Sequence, residues 1–149
     1  SVYRIHGGIF MGKRLTDRVL VFGTGASFYS LLETLWRGYT HWSMSVTGGL
    51  VLLTVYAAER RTHSPLWRRC LRATGIITAY EFAVGCLVNL RLGWRVWDYS
   101  SQPGNVLGQI CPYFCFLWLV LSLPVLFLCG WLRHHMEPQL PRQRGLCWR

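Results

Sequence analysis

The sequence predicts an all-α fold: an integral membrane four-helix bundle with an aromatic-rich outer loop between helices 3 and 4. Three observations support this class. Apolar residues make up 52% of the chain. Asp, Glu, Lys and Arg together make up only 15%, against about 25% in an ordinary soluble domain. The apolar residues fall into four long runs separated by basic segments, and the 149 residues suffice for one domain.

Each apolar run approaches the roughly 20 residues that a membrane-spanning helix requires. The membrane domain is expected over residues 18–133, preceded by a basic segment, 1–17, and followed by a basic, disordered tail, 134–149. Pro112 and Pro124 fall within the last run and predict kinks there. The expected spans are residues 18–36, 42–58, 70–90 and 106–132.

The basic residues predict the orientation, because cytoplasmic segments of membrane proteins are enriched in Lys and Arg. Of the 16 basic residues, all but Arg37, Arg91 and Arg95 flank the two chain ends or the connection between spans two and three. Both termini are therefore expected in the cytoplasm, with the chain integral to the plasma membrane. The lipid bilayer is the expected partner. The net charge of +10 does not indicate nucleic acid, since the charges cluster at the ends of apolar runs.

Two carboxylates interrupt the apolar runs: Glu33 in "SLLETLW" and Glu81 in "TAYEFAVG". A charge inside a bilayer costs roughly 3 kcal/mol or more, so such groups face the bundle interior and pair. With a rise of about 1.5 Å per residue, their depths differ by about 10 Å, which favours two separate polar sites over one acid–base dyad. They either line a path for a proton, a cation or a substrate, or form structural hydrogen bonds between helices.

Arg37 and His41 follow Glu33 at one and two helical turns. A Glu–Arg pair at this spacing stabilises a helix, so Arg37 is expected to neutralise Glu33 near the outer interface. His41 is followed by Trp42. Because the pKa of an unperturbed histidine is about 6.5, His41 could sense the external pH, or it is an ordinary interfacial residue.

The connection before the last span, residues 92–112, mixes aromatic and polar side chains around a Pro-Gly-Asn turn signal. We expect this loop to fold back onto the helix ends, with Arg95 and Asp98 forming a pair. It is either a lid that packs for stability or a site for a ligand or lipid headgroup. Its candidate residues are Trp97, Asp98, Tyr99, Asn105 and Gln109.

Motifs of metal and nucleophile chemistry are not found in the sequence. It has no HExxH, no GxSxG and no His pair at metal-binding spacing. Its six cysteines lie mostly in or beside apolar runs and form no CxxC motif, as expected of buried thiols. We therefore expect no metal, no cofactor, no catalytic residue and no enzymatic activity.

Several stretches resemble a known family: "LLETLWRGYTHWSM", "EFAVGCLVNLRLGWRVWDYSSQPGNVLGQICP" and "FLWLVLSLP". They resemble small bacterial membrane proteins of the CmpB-like family, described as putative type IV ABC-transporter permeases, and more distantly transmembrane protein 229. The resemblance covers about residues 18–133. Its motif positions in this sequence are Glu33, Trp36, Arg37, His41, Trp42, Glu81, Asn89, Trp97, Asp98, Tyr99, Asn105, Gly108 and Gln109.

The resemblance implies a permease-like transport component of the bacterial inner membrane. We expect Glu33, Glu81 and Asp98 to line or gate a polar path in it. The chain has no nucleotide-binding domain and few spans, so an ABC role requires a separate ATPase subunit and self-association into a homo-oligomer. Two alternatives stay open. One is a non-transporting scaffold or interaction protein whose carboxylates are structural. The other is a membrane enzyme acting on lipid headgroups, with Glu33 or His41 as general base.

Overall fold

The chain is all-helical in the computed structural model, which describes residues 3–60 and 64–136, with side chains from residue 15 onward. Within these ranges there is no strand, and an isolated antiparallel bridge joins Val106 to Ile110. The all-α class is thereby confirmed. The helices are α1 (Tyr3–Arg37), α2 (Trp42–Glu59), α3 (Leu66–Gly85), a π-helical segment that continues α3 (Cys86–Arg91), and α4 (Pro112–Met136).

Two helical stretches of the described chain are long and apolar enough to cross a membrane. They are Leu66–Arg91, with 26 residues, and Pro112–Met136, with 25 residues. They correspond to the third and fourth expected spans. By contrast, α2 has only 18 residues and ends at Glu59, and the 35 residues of α1 mix apolar with polar and charged side chains.

Several boundaries differ from the expected ones. α4 begins at Pro112, so residues 106–111 belong to the loop and not to the fourth span. Pro112 occupies the first position of α4, where its missing N–H removes no helical hydrogen bond, so the kink expected there was wrong; Pro124 does lie inside the helix. α1 starts at Tyr3 and carries the basic N-terminal segment straight into the first expected span. Most of the expected tail, residues 137–149, lies outside the described residues.

Glycines bring α1 and α2 into close contact. A Cβ atom at Gly25 would lie 2.5 Å from the carbonyl oxygen of Gly48, and a Cβ atom at Gly48 would lie 2.7 Å from the carbonyl oxygen of Gly25. The ring of Phe22 packs against Gly49 in the same way, with ring carbons 2.6 Å from a Cβ built there. Small residues permit this approach of two backbones, as they do in membrane helix pairs.

The apolar core lies between α2, α3 and α4 and includes Val21 of α1. Val55, Ile77 and Cys129 are among its buried members. The outward-facing positions are apolar as well, which is typical of helices surrounded by lipid. Exposed apolar side chains include Leu20, Leu35, Leu71, Leu90, Phe116 and Phe127.

The bundle has two chemically different ends. The loop end carries the connections 38–41 and 92–111, which meet where the ring of His41 packs against the ring of Trp94. The basic end carries the connection between α2 and α3 and the last turns of α4. There Arg69 forms an ion pair with the buried Glu59, with the Arg69 Nη2 and Glu59 Oε2 atoms 2.5 Å apart.

Candidate functional site

Glu33 lies in the last turns of α1 at the loop end, with only 7% of its surface exposed. Arg37, one turn later, forms an ion pair with it, as the sequence predicts. Thr40 Oγ1 donates a hydrogen bond to Glu33 Oε2 at 2.6 Å. Arg37 Nη1 also donates to the main-chain oxygen of Val96 at 2.9 Å. The guanidinium therefore joins the buried carboxylate of α1 to the loop 92–111.

Glu81 lies on α3 with 2% of its surface exposed, and Tyr29 of α1 donates a hydrogen bond to it. The ring of Tyr29 also stacks on Trp118 of α4, with the ring centroids 6.0 Å apart. A single phenol thus contacts two other helices. Tyr29 precedes Glu33 by one turn of α1, so the two carboxylates are held at successive levels along that helix, each by its own donors.

Tyr99 of the loop is influenced by the charges of Glu81 and Arg37. Burial raises the pKa of Tyr99, the carboxylate of Glu81 raises it further, and Arg37 acts in the opposite direction. Its ring stacks on Phe114 at the start of α4, with 4.2 Å between the centroids. The charges of Glu81 and Arg37 thus both act on Tyr99, and the phenol stays protonated at neutral pH.

The π-helical segment presents Asn89 to the loop. Asn89 Nδ2 donates to Gln109 Oε1 at 2.7 Å, and Asn89 Oδ1 accepts from the main-chain N–H of Val96 at 2.7 Å. The indole N–H of Trp97 donates to the main-chain oxygen of Gln109 at 3.0 Å. Asn89, Trp97 and Gln109 thus form one network that fixes the loop on the end of α3. Single π turns are frequent at functional sites.

Gly85 gives this loop the room to dock on α3. A Cβ atom at position 85 would lie 2.6 Å from Gln109 Oε1 and 2.9 Å from the ring of Trp97. The sequence did not single out Tyr29. The available signal for Tyr29 was its position one turn before Glu33; the π-helical segment had no signal in the residue pattern.

Asp98 lies apart from the buried carboxylates, on the exposed surface of the loop. Its Oδ1 atom accepts from the main-chain N–H of Ser100 at 2.8 Å, and this bond is the main reason why the pKa of Asp98 is lowered. Arg95 contributes a smaller electrostatic effect, and the expected Arg95–Asp98 pair is not formed. Asn105 also shapes the loop: its Nδ2 donates to the carbonyl oxygen of Ser100 at 3.0 Å, and its Oδ1 accepts from the N–H of Gly108 at 3.0 Å.

His41 is the N-cap of α2. Its Nδ1 atom accepts from the main-chain N–H of Ser43 at 3.3 Å and lies 2.7 Å from the Ser43 hydroxyl. The imidazole packs against Trp42 and Trp94, with ring centroids 5.6 Å and 5.4 Å away. Both tryptophans are exposed, as in the aromatic belts of membrane interfaces. The position of His41 thus has a structural explanation, the cap of α2.

Tyr29 lines a narrow crevice formed mainly by α1, α2 and α4. Its volume is about 40 Å³, and its walls are almost entirely apolar, with Gly25, Trp118 and Val125 among the lining residues. Among the described residues there is no group of three or more His, Cys, Asp or Glu side chains that could hold a metal ion.

The family of the chain follows from a comparison with known proteins. No curated protein and no solved structure matches this sequence. The family model described as "Putative ABC-transporter type IV" matches residues 15–144. The matched range includes all the candidate residues and both membrane-capable helices. The description of the family agrees with a membrane protein related to transport. The chain therefore belongs to the family described as "Putative ABC-transporter type IV".

Proposed function

We propose that this chain is the permease-like membrane subunit of an ABC-type transport system, and that its buried charges at the loop end form part of the substrate path. The observation that carries this proposal is the arrangement of Glu33 and Glu81, two buried carboxylates near one guanidinium, Arg37. Carboxylates inside a membrane bundle are costly and mark ion or substrate pathways. Membership of the family supports the transport context.

The contacts of Arg37 suggest how the path opens. Arg37 pairs with Glu33 and bonds to the main-chain oxygen of Val96 in the loop. A movement of the loop away from α1 therefore breaks the bond to Val96 and frees Arg37 to turn away from Glu33, which lies on the same helix. The deeper Glu81 then becomes reachable once Tyr29 turns away from it. In this scheme Arg37 and Tyr29 are positioning residues that close the path at rest.

The proposal includes four membrane spans with both termini in the cytoplasm. The distribution of the basic residues supports this orientation. It also includes a second copy of the chain. The crevice lined by Tyr29 has a volume of only about 40 Å³, which is too small for one copy to form the path by itself. A separate ATPase subunit supplies the driving force.

The first test is a pull-down of the chain from native membranes in mild detergent, with mass spectrometry of the retained proteins. We expect an ATPase subunit at near-equal stoichiometry. Recovery of nothing but the chain itself and lipid would contradict an ABC role.

The second test asks whether the buried carboxylates serve the path. The double variant Glu33→Gln/Glu81→Gln is compared with Glu59→Gln, a matched change of a buried carboxylate at the basic end. We expect transport-coupled ATP hydrolysis by the purified complex to fall at least tenfold in the double variant and to persist in Glu59→Gln. Equal ATP hydrolysis by the parent complex, the double variant and Glu59→Gln would show that Glu33 and Glu81 do not form part of a substrate path.

A scaffold is the second candidate function, and one observation favours it. Glu33 and Glu81 both have partners within the chain, Glu33 in Arg37 and Thr40 and Glu81 in Tyr29. If these bonds are only structural, the double variant fails to insert or fold, whereas a path predicts a folded but inactive complex. Circular dichroism and gel filtration of the double variant separate the two.

An enzyme acting on lipid headgroups is the third hypothesis. Vesicles that contain the purified chain and headgroup-labelled lipid test it directly. We propose that the chain has no such activity, and released label above the protein-free control would contradict this.

A further inference from the structure

The basic end of the bundle has a groove between α3 and α4 that the proposed transport function does not use. The groove has a volume of about 400 Å³ and is open to the surroundings of the bundle. Its wall is apolar along α4 and basic where α3 begins. The lining residues include Leu66, Arg69, Leu126, Phe127, Gly130 and Trp131.

The charges around this groove come from three helices. Arg69 of α3 uses Nε and Nη2 to hold Oε2 of the buried Glu59 of α2, at 2.6 Å and 2.5 Å. Glu59, Arg69 and Arg133 all act electrostatically on Cys129 of α4, so the three charges converge there. Since Glu59 neutralises Arg69, the charge of Arg133 remains in excess.

Arg133 has a donor without an acceptor. Its Nε atom is buried and has no hydrogen-bond partner among the described residues. A buried donor left without an acceptor is energetically unfavourable. Arg133 follows Leu126 and Gly130 at seven and three residues, so it lies at the edge of the α4 face that lines the groove, next to the lining residues. The excess charge and the free donor thus both point to an anionic acceptor at the end of the groove.

The start of α3 adds to this preference for an anion. α3 is a 20-residue helix whose N-cap, Pro65, makes no side-chain hydrogen bond. The N-terminus of a helix carries partial positive charge and exposes main-chain N–H groups. Leu66, the first residue of α3, lines the groove beside Arg69.

We propose that this groove binds one anionic phospholipid. Its phosphate accepts hydrogen bonds from Arg133 and lies near Arg69 and the start of α3. One acyl chain follows Leu126 and Phe127 along α4 beside Gly130, and Trp131 marks the level of the interface, where tryptophan is enriched. The bound lipid links α3 to α4 at the end of the bundle opposite the buried carboxylates.

Gly130 provides a variant that blocks the groove without disturbing the helix packing. A Cβ atom at this position would have no atom within 4 Å, so a larger side chain there extends into the groove. Arg68 provides the control for diffuse surface charge. It lies one residue before Arg69, but its guanidinium packs over the ring of Trp67 at 5.0 Å, and it does not line the groove.

The experiment measures the thermal unfolding midpoint of the purified full chain in neutral detergent against added phosphatidylglycerol or phosphatidylcholine. We expect phosphatidylglycerol alone to raise the midpoint at low lipid concentrations. Arg133→Gln should raise the half-maximal lipid concentration about fivefold, as expected for the loss of one arginine contact of about 1 kcal/mol. Gly130→Leu should abolish the effect, and Arg68→Gln should leave it unchanged.

Two results would overturn the proposal. One is equal stabilisation by the two lipids. The other is an equal loss in Arg133→Gln and Arg68→Gln, which would indicate diffuse attraction to basic residues. The lipid-free midpoint of Arg133→Gln should stay near that of the parent chain, because no described contact is lost. If Gly130→Leu fails to fold, the comparison of Arg133→Gln with Arg68→Gln is sufficient to test the proposed lipid site.

Discussion

At the scale of single residues, the loop end shows how a carboxylate is retained inside an apolar bundle. Glu33 has a charged partner and a hydroxyl donor, Arg37 and Thr40, whereas Glu81 has a phenol, Tyr29. Arg37 and Thr40 belong to the same stretch of chain as Glu33. Tyr29 approaches Glu81 from another helix, so that contact depends on the packing of α1 against α3.

We predict that Tyr29→Phe destabilises the chain by about 1–3 kcal/mol, because Glu81 then remains buried without its donor. The thermal unfolding midpoint in detergent measures the effect. Tyr113→Phe is the matched control, since Tyr113 is 55% exposed. Equal midpoints for the two variants would show that the Tyr29–Glu81 bond adds nothing to stability.

Asp98 gives a pH-dependent prediction. Its pKa is lowered below the usual value of 3.8, so its contribution to the folded loop is present above about pH 4 and is lost as the pH falls through the folded-state pKa. Tryptophan fluorescence should therefore be steady from neutral pH to about pH 5 and change below about pH 4.

The variant Asp98→Asn provides the control for this titration. It cannot titrate at position 98, so the difference between the two fluorescence curves isolates Asp98 from the other carboxylates. An unchanged acid transition in Asp98→Asn would assign the transition to another group.

At the scale of elements, glycines decide which helices approach closely. Gly25 and Gly48 put the backbones of α1 and α2 in contact, and Gly85 leaves room for Gln109 and Trp97 of the loop. By contrast, Gly23 and Gly75 have nothing within 4 Å of a Cβ built on them. Glycines that look alike in the sequence therefore differ in their structural role.

We predict that Gly48→Ala lowers the free energy of unfolding by about 1–3 kcal/mol, because the added methyl group overlaps the backbone of α1. Gly23→Ala should be neutral or slightly stabilising, since alanine favours a helix over glycine by about 1 kcal/mol. The thermal midpoints of the two variants provide the measurement. A Gly48→Ala variant as stable as Gly23→Ala would mean that α1 and α2 separate at no cost.

At the scale of the whole molecule, the two ends of the bundle carry different sets of charged residues. The loop end holds the buried carboxylates under the loop 92–111, and the basic end holds Glu59, Arg69 and Arg133. The proposed transport path and the proposed lipid site are therefore at opposite ends. Each can be tested without disturbing the other.

This division predicts a labelling pattern. A cysteine introduced by Ser101→Cys should react with a membrane-impermeant maleimide on whole cells, whereas one introduced by Ser64→Cys should react only after permeabilisation. The parent chain, with its native cysteines, measures the background. Labelling of both positions from the same side would contradict the proposed four-span topology.

Features that depend on local spacing and composition could be predicted from the sequence. Runs of apolar residues predicted the helices, and two of them are long and apolar enough to cross a membrane. The pair of Glu33 and Arg37 was predictable because residues four apart share a helix face. The start of α4 was misplaced because the apolar residues just before Pro112 looked like a continuation of the helix.

The partners that come from distant parts of the chain could not be predicted and depend on how the helices pack. Tyr29 and Glu81 are 52 residues apart, and Asn89 and Gln109 are 20 apart. The sequence did not single out the buried Glu59, which lies just beyond the expected second span, 42–58. Such contacts depend on how the helices rotate and cross, and that is set by the close fit of many side chains at once. Spacing along one helix fixes which side chains share a face, but not which face of another helix they meet.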